Sequence, residues 1–162
     1  MSGINPGMMS SSRDDWCTPP DLFARCDAIW HFDLDAASSD ENALCENHFT
    51  KEDDGLSKDW SGHRVWLNCP YGREIGKWME KAAMEGQKPD TVVVALIPNR
   101  TDTAWYQQYV LPYATEIVPL AGRVRFHMDG EPQQSAPFPS ALVRWGGGRF
   151  QDNRGREEAQ GT

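Results

Sequence analysis

The run Asn68-Cys69-Pro70-Tyr71 brings together groups that can hold a planar amino group. An amine attached to an aromatic ring is a poor nucleophile, because its lone pair is delocalised into the ring. Two fixed acceptors aimed at its N–H bonds draw the nitrogen towards tetrahedral geometry. The side-chain oxygen of Asn68 supplies one acceptor, and the backbone carbonyl of Cys69 can supply the other. Tyr71 adds an aromatic face, the common grip on a nucleobase taken out of a duplex. Positioning and electrostatic support then do the work without a side chain that removes a proton first. The plain alternative is an ordinary strand-to-helix turn, in which Asn, Pro and Gly are frequent.

Further residues earn notice by type and place. Asp33 and Asp35 precede the small run Ala36-Ala37-Ser38-Ser39, where a backbone can turn sharply and a carboxylate can meet a cation. Asp33 alternatively caps the following turn. Asp54 stands before Gly55, as a ligand acceptor or as a turn aspartate. Thr18-Pro19-Pro20-Asp21 reads as a helix start, with Thr18 or Asp21 as its cap. Phe126 is either a second face against a flat ligand or a core aromatic. Arg100, Arg123 and Arg125 meet phosphates or form a solvated face. His31, His48, His63 and His127 have no metal-ligand spacing, and no metal is assigned.

These groups need a frame. Pro20 to Ala28 reads as a helix of about three turns, and Trp30 to Asp35 alternates like a short strand. Residues 38 to 63 are polar, acidic and mostly loop, with a short helix near Asn42 to Cys45. Val65 to Leu67 is a buried strand that delivers Asn68. The helix from Arg73 to Glu85 carries its apolar stripe on Ile75, Trp78, Met79, Ala82 and Ala83, and Gly86 ends it. Thr91 to Ile97 is apolar throughout, as a central strand covered on both faces is. A helix from Asp102 to Leu111 follows, then strands at Glu116 to Leu120, Arg123 to Met128 and Ser140 to Trp145. Strands alternating with helices predict an α/β fold with a mostly parallel sheet, whose ligands sit at the carboxyl ends of its strands. Both Asp35 and Asn68 fall where predicted strands finish.

The chain has 162 residues, which suits one domain over 14–145 with flexible tails over 1–13 and 146–162. Its net charge of −8 argues against purely electrostatic binding to nucleic acid. Basic residues, however, gather past residue 60 and acidic ones crowd positions 14 to 59, so one face is less negative than the total. The four cysteines have no CxxC spacing. Met1 to Ser12 lacks an apolar run, and no stretch reaches the length of a membrane span. Reduced thiols in a cytoplasm are expected.

The Asn68 run resembles the amino-methyltransferase signature Asp/Asn/Ser-Pro-Pro-Tyr/Phe/Trp. A longer series resembles the phage-type DNA N6-adenine methyltransferase (Dam-like phage) family. It comprises Asp15-Trp16-Cys17-Thr18-Pro19-Pro20, Phe32-Asp33-Leu34-Asp35-Ala36-Ala37, Asn42-Ala43-Leu44-Cys45, Asp54-Gly55-Leu56 with Trp60, Pro98 to Thr103 with Trp105, Gly122 to Phe126, and Pro137-Phe138-Pro139-Ser140. The likeness covers about residues 14 to 145. It implies a Rossmann-like class I S-adenosylmethionine-dependent methyltransferase, acting on adenine in double-stranded DNA in a bacterial cytoplasm, phage or prophage encoded. Asn68, Cys69, Pro70 and Tyr71 become its catalytic loop. Thr18, Pro19, Asp33, Asp35, Ala36 and Asp54 become donor-binding residues, with Thr18-Pro19-Pro20 closing over the methionine moiety. Phe126, Arg123 and Arg100 become contacts to DNA. The family usually has proline where this chain has Cys69; the carbonyl survives the change, and the fixed φ of proline is lost. The cytosine-C5 enzymes use the reverse order, Pro-Cys, so a nucleophilic Cys69 is not expected. Alternatives are methylation of another planar amine, such as an RNA adenine or a glutamine amide, and an inactive DNA-binding module of the same fold.

Overall fold

The computed structural model describes residues 16–128 and 131–148. The expected tail over 1–13 and most of that over 146–162 lie outside the described residues. Helix α1 spans Pro20–Trp30, with Pro20 at its first position, where a missing N–H costs nothing. It runs two residues beyond the predicted end and takes in Trp30, because Leu22, Cys26 and Trp30 form one buried stripe. His31 stops it in the left-handed conformation at φ 53°. The following strand β1 is therefore only Leu34–Asp35.

Strand β2 is Arg64–Leu67, helix α2 is Ile75–Glu85, and strand β3 is Val92–Pro98, buried at every position. Strand β4 is Glu116–Pro119, β5 and β6 are the two-residue arms His127–Met128 and Glu131–Pro132, and β7 is Ser140–Gly146. The main sheet has the order β1-β2-β3-β7-β4. β1, β2 and β3 pair in parallel, and β7 lies antiparallel between β3 and β4. The sheet is thus mixed. It is parallel at its start, and β4 regains that direction across the reversed β7.

Alternate residues of β3 serve opposite faces. Val93, Ala95 and Ile97 pack with Ile75, Trp78, Met79, Ala82 and Ala83 of α2. Val92, Val94 and Leu96 pack with Leu22, Cys26 and Trp30 of α1. This accounts for the unbroken apolar run, since neither face meets water.

Several expectations are corrected. Between Ala36 and Arg64 the one helical turn is Gly55–Ser57, and Asn42 to Cys45 lie in turns. The predicted helix from Asp102 shrinks to a short stretch ending in the π-helical segment Tyr106–Val110, where Tyr106 and Val110 reach the α2 side of the core. The predicted strand Arg123–Met128 is a strand only at His127–Met128, where it forms a small hairpin with Glu131–Pro132. Gly86 caps α2 with an ordinary φ of −65°. It is needed for space, since a Cβ there would lie 2.4 Å from Cβ of Trp145. Gly146 belongs to β7 and Gly147 packs against Trp30 and Val92, so the ordered chain continues past the point where a loose tail was expected.

Candidate active site

Because β1, β2 and β3 run in parallel, their carboxyl ends share one edge of the sheet. Asp35-Ala36 ends β1, Asn68 to Tyr71 follows β2, and Asn99-Arg100 follows β3. A strap of chain, Trp16 to Pro19, approaches this edge from outside. It is held by paired backbone hydrogen bonds between Cys17 and His127, at 3.2 and 3.0 Å.

Asn68 is the hub. Its Nδ2 donates to the carbonyl of Trp16 and, at 3.0 Å, to Oγ1 of Thr18. The Tyr71 hydroxyl lies 2.7 Å from Asn68 Oδ1 and 2.8 Å from the carbonyl of Leu96 in β3. Burial holds the Tyr71 pKa well above the usual phenol range, so the group keeps its proton and donates. The Tyr71 ring stands edge-on to Phe126 and Phe138, with centroids at 6.0 and 5.9 Å. Trp16 meets the same two rings at 5.3 and 5.6 Å. Four aromatic rings thus gather beside one amide. Phe126 is fully buried among them, whereas Trp16 and Tyr71 are half-buried.

Cys69 points the other way. Its side chain is 1 % exposed and belongs to the α2 side of the core. That leaves its thiol away from solvent while the loop backbone stays at the sheet edge.

A second cluster forms around Asp35, which is 2 % exposed. Its carboxylate accepts from the amides of Leu44 at 3.0 Å and Ala37 at 3.4 Å. Desolvation outweighs these bonds and raises its pKa to about 6. The chain from Asn42 to Phe49 wraps this residue, with Asp35 N donating to Asn47 O and Phe49 N donating to Asp35 O. The predicted Asp54-Gly55 loop also arrives here: a Cβ on Gly55 would come within 2.3 Å of the Ala36 carbonyl oxygen. Asp54 itself is exposed, at φ 58°. Ser38 Oγ is buried in the same turn with no partner among the described residues. A cleft lined by Phe32, Asp33, Leu44, Cys45, Glu46 and Asn47 borders the cluster.

Asp33 is set apart. It precedes β1, and its carboxylate accepts from the Arg64 amide at 2.9 Å and lies 3.2 Å from His63 Nδ1, at the amino end of β2. Thr18 is buried, and its hydroxyl accepts from Asn68 and makes no hydrogen bond with Asp35. The two clusters are joined through Asn42, whose Nδ2 donates to Cys17 Sγ at 3.3 Å. Arg100, Arg123 and Arg125 are exposed, and Arg100 lies over the Phe138 ring at 5.6 Å.

Trp16 and Phe138 belong to the site and were not picked out as site residues from the sequence. Both lie in motifs of the quoted series, but only the folded chain shows that they meet Phe126. Among the described residues, no group of three His, Cys, Asp or Glu side chains is placed to hold a metal ion, and no helix is long and apolar enough to cross a membrane.

Residues 7–145 match the family model described as DNA N-6-adenine-methyltransferase (Dam). A DNA N-6-adenine-methyltransferase of Escherichia phage T1 is 32% identical over 120 residues, covering 73% of this chain and 49% of that protein. The chain therefore matches about half of that relative's length. The protein of the same name from Haemophilus phage HP1 (strain HP1c1) is 29% identical over 138 residues, covering 82% of this chain and 79% of the relative.

Proposed function

Since this chain belongs to the DNA N-6-adenine-methyltransferase (Dam) family, we propose that it methylates the N6 amino group of an adenine flipped out of double-stranded DNA, with S-adenosylmethionine as donor. The observation that carries this reading is the acceptor oxygen of Asn68, tied to Tyr71 at the ligand edge of the sheet. The parallel start of the sheet, with helices packed on both faces, is what a Rossmann-like class I methyltransferase requires and supports assigning residues 14–145 to that domain.

The Asp35 cluster suits the donor. A buried carboxylate with a raised pKa gains from a nearby cation, and Ser38 Oγ, unpartnered among the described residues, offers one more polar contact. Asp35, Ala36 and Asp54 are the residues we assign to holding it, with Pro19 of the strap, which Asn42 links to this cluster through Cys17. When bound, S-adenosylmethionine supplies an electrophilic methyl group on a positively charged sulfur.

Asn68 Oδ1 and the Cys69 carbonyl accept the two N–H bonds of the target. This localises the nitrogen lone pair towards the methyl group that a bound donor would supply. The extra proton on nitrogen then leaves to water. Tyr71 braces the purine by stacking, and Arg100, Arg123 and Arg125 meet phosphates around the aromatic cluster. Such a protein works on DNA in a bacterial cytoplasm; both relatives named above are phage proteins.

Tritiated S-adenosylmethionine offered with duplex DNA, RNA and protein tests the reading. Label should appear in DNA and co-elute with N6-methyladenine after digestion. Label confined to RNA or protein defeats it.

A further inference from the structure

We infer that Thr18, together with the backbone carbonyl of Trp16, is a positioning element for Asn68 that locks its amide with the oxygen towards the target amine. The inference rests on the function proposed above. It gives Thr18 a role distinct from donor binding.

A side-chain amide is nearly symmetric in shape but opposite in chemistry at its two ends. It has two N–H donors and two oxygen lone pairs. Turned by 180°, Asn68 would present N–H groups to an incoming amino group, and donor would face donor. Something must choose the useful orientation.

Tyr71 and Leu96 do not choose it. The Tyr71 hydroxyl has one proton and two acceptors within reach, Asn68 Oδ1 at 2.7 Å and Leu96 O at 2.8 Å. With the amide reversed, Asn68 would donate to the Tyr71 oxygen while Tyr71 donated to Leu96, and all of these groups would be satisfied. That side of the site alone favours the wrong orientation.

The strap reverses the preference. The Trp16 carbonyl is only an acceptor, so the amide atom facing it must be nitrogen. Thr18 Oγ1, a hydroxyl able to serve either end of an amide, takes the second N–H at 3.0 Å and holds the amide in the orientation that the Trp16 carbonyl selects. Both donors are then consumed. Thr18 is 8 % exposed, so no water readily takes its place as acceptor. The strap is itself fixed, through the Cys17–His127 backbone pair. When the target amine reaches Asn68 Oδ1, the Tyr71 proton can stay with Leu96, and the asparagine oxygen is released without stranding a buried donor.

The test uses Thr18→Val, which keeps the shape and removes the acceptor, and Thr18→Ser, which restores it. Turnover at saturating donor and duplex DNA should fall roughly 10- to 100-fold in Thr18→Val, the scale expected for a misplaced reacting group, while calorimetry shows donor affinity unchanged and Thr18→Ser recovers the rate. Weaker donor binding with turnover intact overturns the inference, as does full turnover in Thr18→Val. The side-chain amide of Asn68, followed by 15N NMR, gives a readout independent of activity. Its two protons should exchange slowly in the wild type and Thr18→Ser, and one should exchange faster in Thr18→Val; equal exchange in all three also overturns it. A wild type that labels no adenine defeats the proposed function, and the exchange result then judges the amide geometry by itself.

Discussion

The Tyr71 hydroxyl stands 2.7 Å from Oδ1 of Asn68, so the Tyr71 ring and the Asn68 amide are tied together by a hydrogen bond. The same hydroxyl lies 2.8 Å from the carbonyl of Leu96, which ties Tyr71 to the central strand. Replacing Tyr71 by Phe keeps the ring and cuts this tie. Stability should fall by about 1 kcal/mol, the net worth of one buried hydrogen bond, with methyl transfer reduced only several-fold. Tyr71→Ala removes the ring as well, and stacking worth about 1–3 kcal/mol is lost. Urea unfolding and DNA labelling measure both; equal activity losses in the two variants would mean that the ring does not touch the base.

Asp35 should make folding and donor binding depend on pH in opposite ways. Its pKa of about 6 in the folded chain exceeds the unfolded value of 3.8. The folded state therefore binds the proton more tightly, and stability contributed by this group declines as pH rises from about 4 to about 6, then levels off. The change amounts to roughly 3 kcal/mol, and Asp35→Asn should abolish it. A cationic donor prefers the ionised carboxylate, so its affinity should rise over the same window and fall roughly tenfold per pH unit below about 6. Thermal melts and calorimetry between pH 4 and 7 follow the two trends. A donor affinity that is flat across this range would remove Asp35 from the donor site.

Gly55 and Ala36 bring two distant segments into backbone contact. A methyl group on Gly55 would sit 2.3 Å from the Ala36 carbonyl oxygen, with the Trp78 ring at 3.3 Å behind it. Gly55→Ala should cost about 1–3 kcal/mol by overpacking and weaken donor binding, because the Asp35–Ala36 turn must move. Differential scanning calorimetry and donor titration check this; unchanged donor affinity would separate the Gly55 loop from the donor site.

Cys69 lies in the core at 1 % exposure, where it cannot attack a base. Cys69→Ala should lose about 1 kcal/mol for the missing buried atom and keep methyl transfer within a few-fold. A collapse of activity to background in a folded Cys69→Ala protein would reinstate the thiol as a nucleophile.

Arg100 is exposed and lies over the Phe138 ring, one of the four aromatic rings gathered near Asn68. Removing its charge with Arg100→Ala should raise the KM for DNA and lower the salt dependence of binding by about one unit of slope. Donor affinity should not change. An unaltered salt slope would show that Arg100 makes no phosphate contact.

The sequence by itself determined the elements whose signals are local. The apolar run at Thr91 to Ile97 needs cover on both faces, so β3 and its central place were legible from it. The stripe on Ile75, Trp78, Met79, Ala82 and Ala83 marked helix α2 in the same way. The order of motifs around Asn68, Asp35 and Asp54 pointed to the family that the comparison over residues 7–145 then showed. Only tertiary structure decided the rest, because it depends on contacts far apart in the chain. Nothing local says that β7 runs against β3, since an apolar strand reads the same in either direction. The length of α1 was set by Trp30 finding a buried place, and the role of Gly86 by the approach of Trp145. The strap bonds to Asn68 span 50 and 52 residues, a distance at which composition and periodicity carry no information. Hydrogen bonding fixes which way an amide faces, and its partners exist as a set only once the chain has folded.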